Sequence, residues 1–139
     1  MLLPEPPGED YMAVLRDTET RFREAEVLVA VDEADELLGS VTYVGDANSS
    51  LAEFDDPGEA CFRMLAVRER ARGQGVGAAL VQVCIDHARR DAKTALTLYT
   101  TDRMDAARHL YERFGFHRVG ERDIIFESGF ALRSYVLEL

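Results

Sequence analysis

The stretch RERARGQGVGAAL (residues 68–80) decides the fold, because it places a glycine-rich turn between an apolar strand and an amphipathic helix. Three alternate glycines, beginning at Gly73, let several backbone N–H groups converge at a helix start without side chains in the way. The helix dipole adds partial positive charge there. Three alternate arginines, beginning at Arg68, stand beside the turn in a protein of net charge −10. The pattern predicts a turn that binds an anion such as a diphosphate; the alternative is a flexible turn with solvated arginines.

Two other phosphate-binding motifs fit less well. A Walker A loop needs GxxxxGK[ST], and no lysine lies near this turn. A dinucleotide fingerprint is closer, since residues 73–78 satisfy GxGxx[GA] and Asp102 follows the next predicted strand. In that motif, however, the first glycine follows its strand almost at once, whereas residues 68–72 intervene here. The chain also opens with a predicted hairpin instead of repeated βαβ units, so dinucleotide binding stays a rival hypothesis.

Hydrophobic periodicity outward from the turn predicts an alternation of strands and helices in one domain, residues 1–139. Strands are expected at 27–31, 38–44, 60–67, 95–100, 116–119 and 131–137, the first two as an antiparallel hairpin. Helices are expected at 11–25, 75–90 and 105–114. The inward face of the second helix is predicted to carry Val76, Leu80, Val83, Cys84 and His87, and that of the third Ala107, Leu110, Tyr111 and Phe114.

The composition restricts the function. The 16 basic and 26 acidic residues give a net charge of −10, which disfavours binding to a nucleic acid backbone. No apolar run reaches the length of a membrane span, and no signal peptide pattern precedes the chain. The two cysteines, Cys61 and Cys84, form no CxxC pair, and no histidine spacing suggests a metal site. We therefore expect a cytoplasmic protein without a membrane, nucleic acid or metal partner.

Three co-linear blocks resemble the GCN5-related N-acetyltransferase (GNAT) family. Residues 72–77 resemble its acetyl-CoA motif, R/Q-x-x-G-x-G/A, and residues 64–67 resemble the strand before it. Residues 107–116 resemble its second helix motif, A-x-x-L-Y-x-x-x-G-F. The resemblance implies an α/β (α+β) fold: a mixed, mostly antiparallel sheet flanked by helices, whose splayed central strands hold acetyl-CoA. The family's first strand is expected to be missing, because residues 1–10 show no strand pattern.

The resemblance also implies contacts with acetyl-CoA, the acetyl donor. The backbone N–H of Val67 would polarise the thioester carbonyl, and Leu65 and Val67 would pair with the pantetheine as an added strand. Met104 stands where many relatives have asparagine, so a thioether contact would replace one polar contact. The implied cofactor-binding residues are Leu65, Ala66, Val67, Arg72, Gly73, Gln74, Gly75, Val76, Gly77, Ala78, Met104 and Ala107.

Two residues are the catalytic candidates. Tyr111 lies in the family's L-Y-x-x-x-G-F context as the general acid that protonates the CoA thiolate; without that context it would be a core tyrosine. Many relatives carry a glutamate base where this chain has Cys61, and Glu59 lies two residues away on the same strand face. Glu59 is therefore the candidate base, with a solvated strand-end charge as the alternative. Cys61 itself fits a buried small hydrophobe.

These expectations combine into an N-acetyltransferase that moves the acetyl group of acetyl-CoA to a primary amine by direct attack in a ternary complex. The acceptor is a small-molecule or peptide amine. The rival hypotheses are a catalytically degenerate acetyl-CoA-binding protein and a regulatory module with a GNAT fold. The closing strands offer an edge on which two copies can pair as a homodimer.

Overall fold

A computed structural model describes residues 2–3, 17–102 and 104–139 of the chain. Its strands, numbered in chain order, are β1 (Leu2–Leu3), β2 (Glu26–Val31), β3 (Leu37–Val44), β4 (Glu59–Val67), β5 (Ala95–Thr100), β6 (His117–Arg118), β7 (Ile124–Phe126) and β8 (Ala131–Glu138). Its helices are α1 (Thr18–Glu24), α2 (Val76–Arg90) and α3 (Asp105–Arg113). The predicted first helix began at residue 11, and residues 11–16 lie outside the described part of the chain.

The strands form one mixed sheet in the order β1-β7-β8-β5-β4-β3-β2, with β6 also paired to β8. The hairpin of β2 and β3 is antiparallel, as the alternating apolar residues and the acidic turn between them predict. Among the strands of the described residues, only the pairs β4–β5 and β1–β7 are parallel. The mixed, mostly antiparallel sheet with flanking helices is therefore confirmed.

The two central strands separate part-way along their length. β4 and β5 pair only from Glu59↔Ala95 to Cys61↔Thr97, although both strands continue well beyond those residues. On its other side β4 stays paired with β3, with a register shift opposite Ser40–Thr42. Met64 lies at that irregularity with φ of 58°, a left-handed conformation that is uncommon for a residue with a side chain. The bulge bends β4 away from β5 and opens a cleft between them.

Helices α2 and α3 cover one face of the sheet over a single main core. The buried residues of α2 are Leu80, Val81, Cys84, Ile85 and Ala88. The predicted inward face was thus partly wrong, because Val83 is 37% exposed and His87 is only half-buried. The helix has apolar residues on more than one side, so its sequence alone does not fix which side meets the sheet. On α3, Tyr111 is buried and Ala107, Leu110 and Phe114 pack against the same core, as predicted.

The ends of the sheet differ from the sequence prediction. The expectation of no strand in residues 1–10 was wrong, because Leu2–Leu3 pairs with Ile125 and Phe126 of β7. β7 was itself missed, and the predicted strand at 116–119 shortens to β6. Strands of two or three residues carry too little alternation to be recognised in sequence. No helix within the described residues is long and apolar enough to cross a membrane.

Candidate active site

The glycine-rich turn leads from the end of β4 to the start of α2. Gly73 and Gly75 have φ of 78° and 82°, in the left-handed region that favours glycine. Gly75 is the N-cap of α2 and supplies no side chain to cap it. A Cβ at either position would meet nothing within 4 Å. The backbone conformation, and not crowding by other atoms, therefore requires glycine here, and open space lies in front of the turn.

The backbone N–H groups of this turn are available to a ligand. The N–H of Ala79 donates to the carbonyl oxygen of Gly75 at 3.0 Å, which is the first hydrogen bond of the helix. None of the N–H groups of residues 73–78 donates to an acceptor among the described residues. A helix start with uncapped N–H groups and partial positive charge is suited to bind an anion.

The three arginines beside the turn are not equivalent. Arg70 donates to Glu36 Oε2 at 2.9 Å, and both side chains are exposed. Arg68 and Arg72 are exposed and form no ion pair with a described residue. Two guanidinium groups therefore remain uncompensated next to the N–H groups of residues 73–78.

Gly77 allows close packing of neighbouring side chains and does not have an unusual backbone conformation. It lies in the first turn of α2, where a Cβ would be 3.4 Å from Leu110 Cδ2 and 3.8 Å from Val67 Cγ2. The first turn of α2 therefore contacts both α3 and the end of β4. This contact sets the turn beside the open end of the cleft.

The backbone N–H of Val67, the donor predicted for the thioester carbonyl, points away from β3. The N–H of Arg68 donates to the carbonyl oxygen of Leu38 at 2.8 Å, and Val67 is the partner of Gly39. Hydrogen-bonded and non-hydrogen-bonded pairs alternate along an antiparallel ladder, so Val67 and Gly39 form a non-hydrogen-bonded pair. The N–H of Val67 therefore points away from β3, toward the side where β5 has separated.

A cavity of about 200 Å³ occupies the cleft between β4 and β5. Its walls bring together residues of β4 and β5 with the start and the last turn of α3. They include Phe62, Met64, Leu65, Thr100, Met104 and Tyr111. Met104 is the N-cap residue of α3 but makes no side-chain cap hydrogen bond, so its exposed thioether borders the cleft.

Tyr111 lines this cavity. The residue is 4% exposed, and its ring makes edge contacts with Phe62 and Phe116 at centroid distances of 5.8 and 6.0 Å. Its hydroxyl forms no hydrogen bond with any described residue. Burial raises the pKa of Tyr111 to about 12, so the phenol keeps its proton throughout the neutral range.

The structure does not bring Glu59 to the cleft. Its carboxylate is buried at 8% exposure and accepts two hydrogen bonds from Arg122, at 2.9 and 2.8 Å. It lies at the end of β4 that is still paired with β5, and it lines a different cavity. Cys61 is also buried there, and burial raises the pKa of its thiol to about 12. Neither side chain has the position of a base for an acceptor in the cleft.

Another carboxylate, which the sequence analysis does not assign as a base, lies beside a residue that lines the cleft. Glu53, in the loop between β3 and β4, has a side chain 23% exposed, with Oε1 3.7 Å from Nε of Arg63. Arg63 lines the cleft and donates from Nη1 to the carbonyl oxygen of Leu51 at 3.1 Å. Burial raises the pKa of the Glu53 carboxyl, and the Arg63 charge opposes this only in part. Nothing in the loop sequence distinguished Glu53 from its solvated acidic neighbours.

The family of the chain follows from a comparison with family models. Residues 2–116 match the model described as the acetyltransferase (GNAT) family. The chain belongs to the GNAT family. No curated protein matches the sequence significantly.

Solved structures show the same fold. A GNAT acetyltransferase from Staphylococcus aureus superposes with a TM-score of 0.70 at 16% identity, over 94% of this chain and 78% of that one. A GCN5-related N-acetyltransferase from Kribbella flavida gives 0.69 at 24% identity, over 100% and 81%. A proposed streptothricin acetyltransferase from Bacillus anthracis, solved in complex with acetyl coenzyme A, gives 0.67 at 19% identity, over 84% and 63%. At these identities the likeness establishes the fold.

Proposed function

We propose that this GNAT protein transfers the acetyl group of acetyl-CoA to the primary amine of a small molecule or peptide. The observation that carries the proposal is the set of unpaired N–H groups at residues 73–78, which lie beside the open end of the cleft. These groups and the unpaired guanidinium groups of Arg68 and Arg72 suit the diphosphate of a coenzyme A. A Bacillus anthracis relative in fold binds acetyl coenzyme A, which supports the same donor here.

The residues that would hold the donor form a continuous track. Backbone N–H groups from Gly73 to Ala78 bind the diphosphate, and Arg72 adds charge at its edge. Backbone groups of β4 from Leu65 to Val67 face the open side of the strand, where they can pair with the pantetheine arm. Met104 borders the cleft, and Ala107 packs against the core one turn before Tyr111. Acetyl-CoA supplies an acyl group activated as a thioester.

The N–H of Val67 acts on the thioester carbonyl. Because the β3–β4 register directs this N–H away from β3, it can donate a hydrogen bond to a carbonyl oxygen in the cleft. A fixed donor at this place stabilises the negative charge that develops on the oxygen when the amine attacks. The strand positions the donor in advance, so little reorganisation accompanies the reaction.

Tyr111 acts on the sulfur. Its phenol remains protonated at neutral pH because its pKa is raised to about 12, and it has no competing partner in the described structure. It donates a hydrogen bond, and then its proton, to the sulfur as the carbon–sulfur bond breaks. The acceptor nitrogen, which becomes an amide, gives up a proton that restores the phenol.

The acceptor must also reach the cleft as a neutral amine. An alkylammonium has a pKa of about 10.4, so a base is needed at neutral pH. Glu59 is occupied by Arg122, whereas Glu53 lies beside the cleft-lining Arg63 and has a raised pKa. We assign the removal of this proton to Glu53, directly or through one water molecule.

A second candidate function is binding of acetyl-CoA without catalysis. The observation that favours it is that the β4 positions Glu59 and Cys61 supply no free base. Calorimetry with acetyl-CoA, CoA and NAD tests the donor, and thiol release across a panel of amines tests the transfer. Binding of acetyl-CoA and CoA with amine-dependent thiol release supports the enzyme. Binding without release from any amine supports the binder, and preference for NAD contradicts both.

A further inference from the structure

Thr100 carries a hydroxyl group that the fold leaves without a partner. It is the last residue of β5, lines the cleft cavity and is 4% exposed. Its Oγ1 is buried and forms no hydrogen bond with any described residue. A buried hydroxyl without a partner destabilises a fold, so such a group in a cavity wall suggests a polar ligand that completes it.

The position of Thr100 in β5 places it on the same face as Tyr111. Leu96 and Leu98 belong to the core cluster that contains Tyr111, and side chains alternate along a strand. Thr100, two residues after Leu98, therefore faces the same side of the sheet. The cavity thus has two hydroxyl-bearing residues, Thr100 and Tyr111, whose hydroxyl groups have no partner in the described structure.

Thr97 of the same strand is a buried threonine whose hydroxyl does have a hydrogen-bond partner. Thr97 is also 4% exposed, but its Oγ1 donates to the carbonyl oxygen of Ala60 at 3.4 Å. It lies where β4 and β5 are still paired, at the Cys61↔Thr97 pair. Thr100 lies where the strands have separated and the neighbouring backbone of β4 is out of reach.

We propose that the Thr100 hydroxyl is a second hydrogen-bond donor to the coenzyme's sulfur, acting beside Tyr111. The inference rests on the proposed acetyl transfer. A thioester sulfur is a weak acceptor and a thiolate is a strong one, so the hydrogen bond strengthens as the carbon–sulfur electron pair moves to sulfur. Thr100 keeps its own proton, and the proton that sulfur gains comes from Tyr111. An interaction that strengthens only during the reaction raises kcat more than it lowers KM.

The test compares CoA with desulfo-CoA, which lacks the sulfur. Calorimetry at pH 9, where part of the CoA thiol is ionised, measures the binding of both to wild type, Thr100→Val and Thr100→Ser. We expect Thr100→Val to bind CoA roughly tenfold more weakly and desulfo-CoA as wild type does, with serine restoring the loss. Equal losses for both ligands, or no loss for either, would overturn the proposal.

The stability of the free protein gives a second, independent readout. Removing a hydroxyl that has no partner costs the fold nothing, so Thr100→Val should melt at or above the wild-type temperature, while its kcat falls about tenfold. The matched control, Thr97→Val, loses a hydrogen bond and should melt lower with unchanged CoA affinity. A melting temperature of Thr100→Val lowered as much as that of Thr97→Val would show an internal partner and overturn the proposal.

Acetyl transfer by the protein and the role of Thr100 can be refuted separately. If wild type binds neither CoA nor desulfo-CoA, the proposed function itself is wrong and the role of Thr100 falls with it. If wild type binds both and transfers acetyl groups while Thr100→Val behaves like wild type in binding and kcat, only the role of Thr100 is wrong.

Discussion

Single hydroxyl and carboxyl groups determine the proposed chemistry, and Tyr111 is the first to test. Tyr111→Phe keeps the ring contacts with Phe62 and Phe116 and removes only the hydroxyl. We expect kcat to fall roughly 100-fold while the melting temperature stays close to wild type, because the hydroxyl has no described partner to lose. Tyr135→Phe is the matched control, since Tyr135 is a buried core tyrosine whose hydroxyl lies 3.5 Å from Glu112. Equal kcat values for both variants would contradict the assignment.

Glu53 and Glu59 are assigned different roles: Glu53 acts as the base, and Glu59 stabilises the fold. Glu53→Gln should lower kcat at least tenfold and remove the acidic limb of the pH profile. In wild type the midpoint of that limb should lie above the ordinary glutamate pKa, because burial raises the pKa of Glu53. Glu59→Gln should instead lower the free energy of unfolding by about 1 kcal/mol, because it weakens the ion pair with the partly exposed Arg122, and should retain kcat. Steady-state kinetics across pH and denaturant unfolding measure these effects. The reverse outcome would restore Glu59 as the base.

At the scale of elements, the turn before α2 depends on its left-handed glycines. Gly75→Val should weaken acetyl-CoA binding at least tenfold, because the strained backbone moves the N–H groups of residues 73–78 and a side chain enters the open space before them. Gly129→Val is the matched control: Gly129 also has a positive φ, 92°, and open surroundings, but lies between β7 and β8. Calorimetry on both variants tests this. Equal affinities would show that the turn does not hold the donor.

Sequence patterns predicted the elements around the site better than the contacts within it. The turn at residues 68–80 and the helices after it follow from glycines and apolar spacing, which are local signals. The separation of β4 and β5 entered only through the family resemblance, because the bulge at Met64 has no sequence signature. The ion pair of Glu59 with Arg122 joins residues that are far apart in the chain. The strand pattern around Glu59 could not predict that pair and suggested a catalytic base instead.

At the scale of the whole molecule, acid unfolding should depend on Asp123. Its carboxylate accepts hydrogen bonds from Arg118, Arg133 and the N–H of Ser134, and these hold its pKa well below the ordinary range. A lowered pKa in the folded state gives stability that is present above the unfolded pKa of about 3.9 and lost as pH falls through the folded value. Asp123→Asn should therefore be about 2 kcal/mol less stable than wild type at pH 7.

Denaturant unfolding from pH 7 to pH 2 checks this expectation. The difference between wild type and Asp123→Asn should shrink below about pH 4, as the wild-type carboxyl becomes protonated. Asp102→Asn is a suitable control, because Asp102 pairs with the same Arg133 from an exposed position and should cost much less. A difference between Asp123→Asn and wild type that stays constant across this range would contradict the role given to Asp123.

The structure of the protein in complex with acetyl-CoA tests the whole proposal most directly. We predict that the diphosphate accepts hydrogen bonds from backbone N–H groups within residues 73–78, and that the sulfur lies in the cleft within reach of the Tyr111 hydroxyl. A coenzyme bound on another face of the sheet, or a diphosphate held without these N–H groups, would contradict it.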